Sequence, residues 1–396
     1  MTAGTDQLRR DNTGRVLRTL RRRGPCTRAE LAQHTGLAKA TVGAIVADLV
    51  ASGALSEADD ESTRQGARGR PGRPVAVRPR AVLGLGLELN VDYVSAVVMD
   101  LGGQVLASRT SAAGGPDGPD PASALTALAR ELHDEFVSTR SRFVGATVAV
   151  PALVREDDRT IAWAPNLPLR GADLAVALES VLPGCPVRIS NDANCAAYAE
   201  AHHGAAVGAA HALYLTGTVG IGAGIIEDGD LLTGAAGFAG EVGHMPVGDP
   251  EAPCGCGRRG CWEASIGLHA VLAAVAMPEL ATPVETARAV ADRAHDDAAI
   301  RAHLAQVGRD VGLGLATLVS VLDPEIVVLG GYFVPLGELV LGPAREVLDA
   351  RLASAVQVRP DLRLSTLGIE AAALGAAEQS LTGALSGDLA RTTALA

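Results

Sequence analysis

A chain of 396 residues that is 48% hydrophobic and 20% charged holds material for two or three domains with substantial cores, which excludes a disordered polymer and a small disulfide-stapled scaffold. No uninterrupted apolar run of about 18 residues appears, so no membrane-spanning helix is expected. The opening Met1-Thr2-Ala3-Gly4 carries no export signal, so a reducing cytoplasm is the expected home. The net charge of −11 is unevenly placed: residues 1–80 hold 15 Lys and Arg against 8 Asp and Glu, while the remainder holds 19 against 37. A basic leading segment attracts polyphosphate through counterion release, whereas an acidic body repels it.

Val16, Leu17 and Leu20, spaced helically among arginines, predict a first helix over residues 11–24 that stops at Gly24-Pro25. Thr27-Arg28-Ala29-Glu30 fits a capping box and opens a second helix through Gln33. Thr35-Gly36-Leu37 makes the turn, and a third helix starts near Ala38 with Val42, Ile45, Val46, Leu49 and Val50 on one face. Ala38 is a weak N-cap, about 1 kcal/mol poorer than Ser or Thr. Helix, glycine turn and helix match the DNA-reading motif, whose second helix enters the major groove by its N-terminal residues. Lys39, Ala40, Thr41 and Gly43 hold those positions: small residues allow close approach, Lys39 reaches a phosphate or a guanine edge, and Thr41 offers a hydroxyl and a methyl. An ordinary three-helix bundle is the alternative, and the basic excess argues against it.

After Gly53-Ala54-Leu55 a polar stretch leads to Arg68-Gly69-Arg70-Pro71-Gly72-Arg73-Pro74. A β-wing closes a winged helix-turn-helix domain at residues 1–66, with 67–80 as linker. Arg68 and Arg70 suit a narrow minor groove, and a solvated hinge is an equal reading.

From residue 82 the pattern becomes α/β. Strands are predicted at Val82–Leu89, Tyr93–Asp100 and Gln104–Ser108, a helix near 122–138, and strands at Val144–Val150 and Val187–Ser190. The scheme repeats with a hairpin at His211–Thr216 and Ile221–Glu227, helices across 262–322 and a strand at Ile326–Gly331. Two similar lobes are implied, 81–190 and 191–396, the last helix free to return to the first.

Gly240-Glu241-Val242-Gly243-His244 precedes Cys254-Gly255-Cys256-Gly257-Arg258-Arg259-Gly260-Cys261-Trp262-Glu263. His244, Cys254, Cys256 and Cys261 make a complete tetrahedral set for Zn²⁺, and a set with no open position reads as structural. Glu241 and Glu263 remain for other contacts, and a metal that fixes the loop also fixes their direction. Disulfides do not suit a reducing compartment, and Cys26, Cys185 and Cys195, each isolated, read as small apolar fillers.

The order Asn191-Asp192-Ala193-Asn194, Gly220-Ile221-Gly222-Ala223-Gly224, the Glu241 to Glu263 segment and Val327-Val328-Leu329-Gly330-Gly331 strongly resembles the ROK family of repressors and sugar kinases, over nearly the whole chain. With a DNA-binding head, the resemblance is to its sugar-responsive repressors of xylose, N-acetylglucosamine or related regulons. It implies an α/β two-lobed, actin-like and hexokinase-like (ribonuclease H-like) body, operator DNA and a sugar or sugar derivative as partners, and a homodimer or dimer of dimers. Residue by residue, Asn166 matches an asparagine that contacts sugar hydroxyls. Asn191 and Asp192 match the sugar-binding pair whose aspartate is the general base in kinase relatives. Glu241, His244 and Glu263 match further hydroxyl contacts, and His244, Cys254, Cys256 and Cys261 match the zinc ligands. Carboxylates and carboxamides serve several hydroxyls at once, so such a site rejects analogues that lack them.

Phosphoryl transfer needs glycine-rich backbone around ATP phosphates and little negative charge there. The family's first phosphate loop reads Asp-x-Gly-Gly-Thr, but this chain has Glu88-Leu89-Asn90-Val91-Asp92; the second reads Gly-Thr-Gly-x-Gly, but here Thr218-Val219-Gly220-Ile221-Gly222. A carboxylate about 4 Å from a phosphate costs up to about 4 kcal/mol at an effective dielectric of about 20. ATP binding is not expected, and Asp192 is expected to hold a hydroxyl without deprotonating it. Ala152 stands where the family has glycine beside the sugar. A non-enzymatic transcriptional repressor is the leading reading, and a glucokinase-like, ATP-dependent kinase with a DNA-binding domain is the alternative.

Overall fold

The computed structural model describes residues 3–57, 73–114, 118–218, 220–273, 275, 277–280, 282–352 and 359–389. The chain forms two compact units, Met1–Val148 with Ala172–Ile189 and Ala376–Ala396, and Ala149–Gly171 with Ser190–Gly375.

The first unit begins with α1 (Ala3–Arg23), β1 (Cys26–Thr27), α2 (Arg28–Thr35), α3 (Lys39–Ala51), β2 (Leu55–Glu57) and β3 (Pro74–Val77). The capping box forms: the Glu30 amide donates to Thr27 Oγ1 at 3.3 Å, and the Thr27 amide donates to Glu30 Oε2 at 2.8 Å. Gly36 closes α2 in the left-handed region at φ 71°, and Ala38 gives α3 no side-chain cap. Val16, Leu17, Leu20, Leu31, Val42, Val46 and Leu49 are buried together as the head's core, while Val50 is only half-buried. Pro74–Val77, assigned to the linker by sequence, is instead the middle strand of the wing, pairing Cys26 with Val75 and Leu55 with Val77. Pro74 sits at its first position, where a missing N–H is tolerated. Arg68 and Arg70 lie outside the described residues.

Helix α1 also starts eight residues earlier than its apolar spacing predicts; that added stretch meets the rest of the chain where Gly387 lies against the Arg10 backbone and at the exposed Arg9–Asp48 pair, and the later turns are held more firmly. Arg18 Nη1 donates to the Leu385 carbonyl at 2.9 Å, and a Cβ on Gly14 would come within 2.8 Å of the same oxygen. Arg21 Nη2 donates to Glu378 Oε2 at 2.5 Å, with side-chain exposures of 15% and 2%. The chain's last helical segments therefore return to grip its first helix.

The body's strands are β4 (Val82–Leu89), β5 (Tyr93–Asp100), β6 (Val105–Ala112), β7 (Arg142–Val150), β8 (Leu153–Val154), β9 (Ile161–Trp163) and β10 (Val187–Asn191). They continue with β11 (Ala212–Gly217), β12 (Ile221–Glu227), β13 (Asp230–Leu231), β14 (Ile326–Gly331) and β15 (Asp361–Leu364). One sheet has the order β10-β7-β4-β5-β6, the other β13-β12-β11-β14-β15. Each pairs a three-strand antiparallel meander with two further strands, so the repetition in the sequence is a repetition of topology.

In the first unit the helix Ala371–Ser380 brings its end against the sheet: Gly84 and Gly145 are the flat spots that admit Ser380, and a Cβ on Gly145 would come within 2.7 Å of the Ser380 carbonyl. In the second unit Trp262 is fully buried against the helix Ala298–Leu322, where Gly314 leaves room for the indole and the Asp310 carbonyl accepts its N–H at 2.8 Å.

Removing the Glu378 carboxylate leaves the Arg21 guanidinium buried beside an apolar gap. Glu378→Ala is expected to lower the urea-unfolding free energy by about 3–5 kcal/mol. Asp48→Ala, at the exposed Arg9–Asp48 pair, is expected to cost under about 1 kcal/mol.

Candidate metal centre and ligand pocket

After β13 the chain needs glycines to fold back on its own sheet. Gly240 has φ 100° and lies so close to the Ala223 carbonyl that a Cβ would collide with it, and the Ala223 amide donates to the Gly240 carbonyl at 3.2 Å. One short 3₁₀ turn, Val242–His244, follows, with Gly243 packed on Ile221. The cysteine segment is a tight hairpin in which the Cys254 amide donates to the Arg258 carbonyl at 2.9 Å. It ends at Trp262, whose backbone amide donates to the Met245 carbonyl at 2.8 Å.

This path brings one donor atom each from His244, Cys254, Cys256 and Cys261 within 4.8 Å of one another. Cys254 Sγ is 3.8 Å from His244 Nδ1, and Cys256 Sγ is 3.7 Å from Cys261 Sγ. A tetrahedron with metal–sulfur bonds of about 2.3 Å has edges of about 3.8 Å, so the donor set fits a tetrahedral metal ion. The Arg258 Nε–H, 3.4 Å from Cys256 Sγ, holds that thiol down at about 6, which favours the ligating thiolate.

The expected sugar residues meet different fates. Glu263 spans the site: Oε2 accepts the Ile221 amide at 2.9 Å, and Oε1 faces Cys254 Sγ at 3.7 Å. Gly220 permits this, since a Cβ there would come within 2.8 Å of Oε2. The Asn191 amide donates to the Ala152 carbonyl at 3.2 Å, and its oxygen caps the helix Asp192–His203 by accepting the Asn194 amide at 3.1 Å. Asp192 is the first residue of that helix. Burial pushes its carboxyl up to about 6, partly countered by backbone amides of Ala193 and Asp192 and reinforced by the charge of Glu241. Asn166 is exposed on the turn after β9.

A cavity of about 740 Å³ in the second unit is lined by Leu153, Trp163, Phe238, Glu241, His244, Met245, Cys256 and Arg258. Glu241 and His244 face it, whereas Asn166, Asn191, Asp192 and Glu263 are not in its wall. The apolar side was missed by sequence reasoning. Its one available signal was aromatic scarcity: the chain has two tryptophans and four phenylalanines, and Trp163 is 45% exposed.

In the first unit the turn between β4 and β5 is closed by its own side chains. Glu88, 3% exposed, accepts the Tyr93 hydroxyl at 2.6 Å, and Asn90 Nδ2 donates to that hydroxyl at 3.2 Å. At the head, Lys39 and Ala40 are exposed and Thr41 and Gly43 half-buried on the first turns of α3.

A winged-helix head on a body of two sheets with one repeated order, the second carrying a Cys₃His loop, defines the actin-like, hexokinase-like class with a DNA-reading module. The chain belongs to the ROK family, whose model matches residues 84–381; residues 11–66 match the MarR family. It is 28% identical over 371 residues to the xylose repressor of Bacillus subtilis (strain 168), covering 93% of this chain and 94% of that protein. A ROK family transcriptional regulator, homolog of the E. coli MLC protein, has the same fold over 98% of this chain and 99% of its own, at a TM-score of 0.80 and 23% identity. The ROK hexokinase from Thermus thermophilus is 32% identical, with a TM-score of 0.62 over 74% of this chain and 96% of that one.

A carboxyl raised to about 6 binds its proton more tightly in the folded chain than in the unfolded one, so its ionised form opposes folding. Native stability is therefore expected to gain from Asp192 as pH falls from 7 towards 4. Asp192→Asn should remove this gain and be more stable than the native chain at pH 7 by up to about 2 kcal/mol, read as the difference between their urea-unfolding curves at pH 5 and 7.

Proposed function

We propose that this protein is a sugar-responsive transcriptional repressor of carbohydrate-metabolism genes. Its winged helix binds operator DNA, and a sugar or sugar derivative held by the body alters that binding. The observation that carries this reading is the closed turn at Glu88–Tyr93, which occupies the position of a phosphate loop in a chain that retains both the sugar-type residues and a DNA reader. Likeness to a named xylose repressor along more than nine-tenths of both chains supports it.

In this reading Zn²⁺ is the metal of the Cys₃His set. When bound it supplies rigidity, since four protein donors leave no open position. With His244 Nδ1 turned to the cysteines, Nε2 remains to donate to a sugar hydroxyl. Glu241 and ionised Asp192 accept from hydroxyls, Asn166 closes on the ring from its turn, and Asn191 and Glu263 hold these groups in place as well as offering their remaining lone pairs. On the DNA, Lys39, Ala40, Thr41 and Gly43 meet the major groove, and Arg68 and Arg70 reach the minor groove. A homodimer in the cytoplasm places two such heads on successive half-sites.

Asp192 also favours a second reading, a sugar kinase, because a carboxyl raised to about 6 is a competent general base near neutral pH. ATP-dependent phosphorylation of a monosaccharide panel, abolished by Asp192→Asn, would establish that reading; turnover at background removes it.

Lys39→Ala is expected to weaken operator binding to a similar degree across operator variants and to reduce the salt slope of log K by about one, measured by fluorescence anisotropy. The effector that best stabilises the protein should change operator affinity by roughly five- to 150-fold. Operator affinity that no sugar alters would overturn the regulatory part.

A further inference from the structure

The cavity beside Glu241 and His244 has two chemically different walls. Glu241, His244 and Arg258 form a polar side; Leu153, Trp163, Phe238 and Met245 form an apolar one. The apolar side is built. Leu153 and Trp163 are register partners across β8 and β9, so both side chains share one face of the ribbon. Phe238 follows Gly237, which at φ 85° lies against the same ribbon, 2.9 Å from Arg155 by its missing Cβ. Two large aromatics are thus held towards one space by a strand pair and a glycine contact.

That space exceeds one sugar ring. At about 740 Å³ it holds on the order of 25 water volumes and falls in the upper part of the range of about 300–1,000 Å³ for pockets that enclose drug-sized ligands. A pyranose has a hydroxyl rim and an apolar C–H face, and that face suits an indole that is 45% exposed. An anionic substituent suits the cavity less well. The Glu241 carboxylate shares the wall and faces the same space as the Arg258 guanidinium, so a net anionic group gains little there.

We infer that the effector is a neutral disaccharide, one ring engaging Glu241 and His244 and the second lying on the Trp163 and Phe238 side of the cavity. This rests on the sugar-effector reading above and names the ligand class of that site.

The chain provides its own reporter. Trp163 and Trp262 are its two tryptophans, and titrating Trp163→Phe in parallel assigns a ligand-induced emission change to the exposed Trp163 and not the buried Trp262. Full-length, zinc-loaded protein is titrated with pentoses and hexoses, with their neutral β-1,4- and α-1,4-linked disaccharides, and with the corresponding sugar phosphates. One disaccharide is expected to bind at least about tenfold more tightly than its component monosaccharide, a difference of about 1.4 kcal/mol, and to shift Trp163 emission to the blue. Measured by isothermal titration calorimetry, Trp163→Ala should bring the disaccharide-to-monosaccharide preference to near one and Trp163→Phe should keep most of it, with operator binding confirming that both variants fold. A monosaccharide or sugar phosphate that binds as tightly as every disaccharide, or a preference that survives Trp163→Ala, overturns the inference. Absence of binding by every sugar, with operator binding intact, overturns the sugar-effector reading itself.

Discussion

Three thiols and an imidazole converge within 4.8 Å on a stretch of chain that has almost no regular structure of its own. Between β13 and Trp262 the described backbone forms one three-residue helical turn, and ordering such a loop costs about 1–2 kcal/mol per residue in backbone entropy. Glycine contacts with β12 and the buried Trp262 offset part of that cost, and the proposed metal, shared by four donors, would offset more. Structural zinc sites in small peptides are worth about 10–16 kcal/mol of apparent binding free energy, enough to dominate the loop's balance. The pocket wall shares His244 and Cys256 with this donor set, so a metal held there would also fix part of the wall.

Much of this was legible in the sequence. The capping box at Thr27, the left-handed Gly36, the buried stripe of α3 and the uncapped Ala38 are local, and local chemistry decided them. The Cys₃His cluster was legible because spacing and glycine content together leave few other ways to arrange four donors. What escaped depends on remote partners. Residues 3–10 of α1 show no apolar stripe and meet only Gly387 and Asp48, both remote in sequence, among the contacts described, and the wing strand at Pro74–Val77 has one fully buried side chain, Val75, too weak a signal beside a polar stretch. Asn191 and Glu263 were read as sugar contacts from motif position, and their hydrogen bonds show that they also hold backbone: a cap, the Ala152 carbonyl and the Ile221 amide. The apolar wall was invisible because Leu153, Trp163 and Phe238 meet only through the ribbon and its glycine contact.

The two sheets share one order, Asp192 opens a helix, and the β4–β5 turn is closed by a Glu88–Tyr93–Asn90 network. In the same unit, the segment that packs on Gly84 and Gly145 also grips α1 through Glu378 and Leu385. A partly buried link between the head and this sheet gives a shift in the sheet a route to the head, since coupling needs contacts that differ between two states.

The most direct test measures operator affinity with and without the best-binding sugar for the native chain and for Cys256→Ser, with zinc content recorded for both. The native chain should respond to the sugar, while Cys256→Ser should lose zinc and most of that response but still bind the operator through an intact head. A variant without zinc that responds to sugar as fully as the native chain would contradict the claim that the metal-braced loop is the sensor.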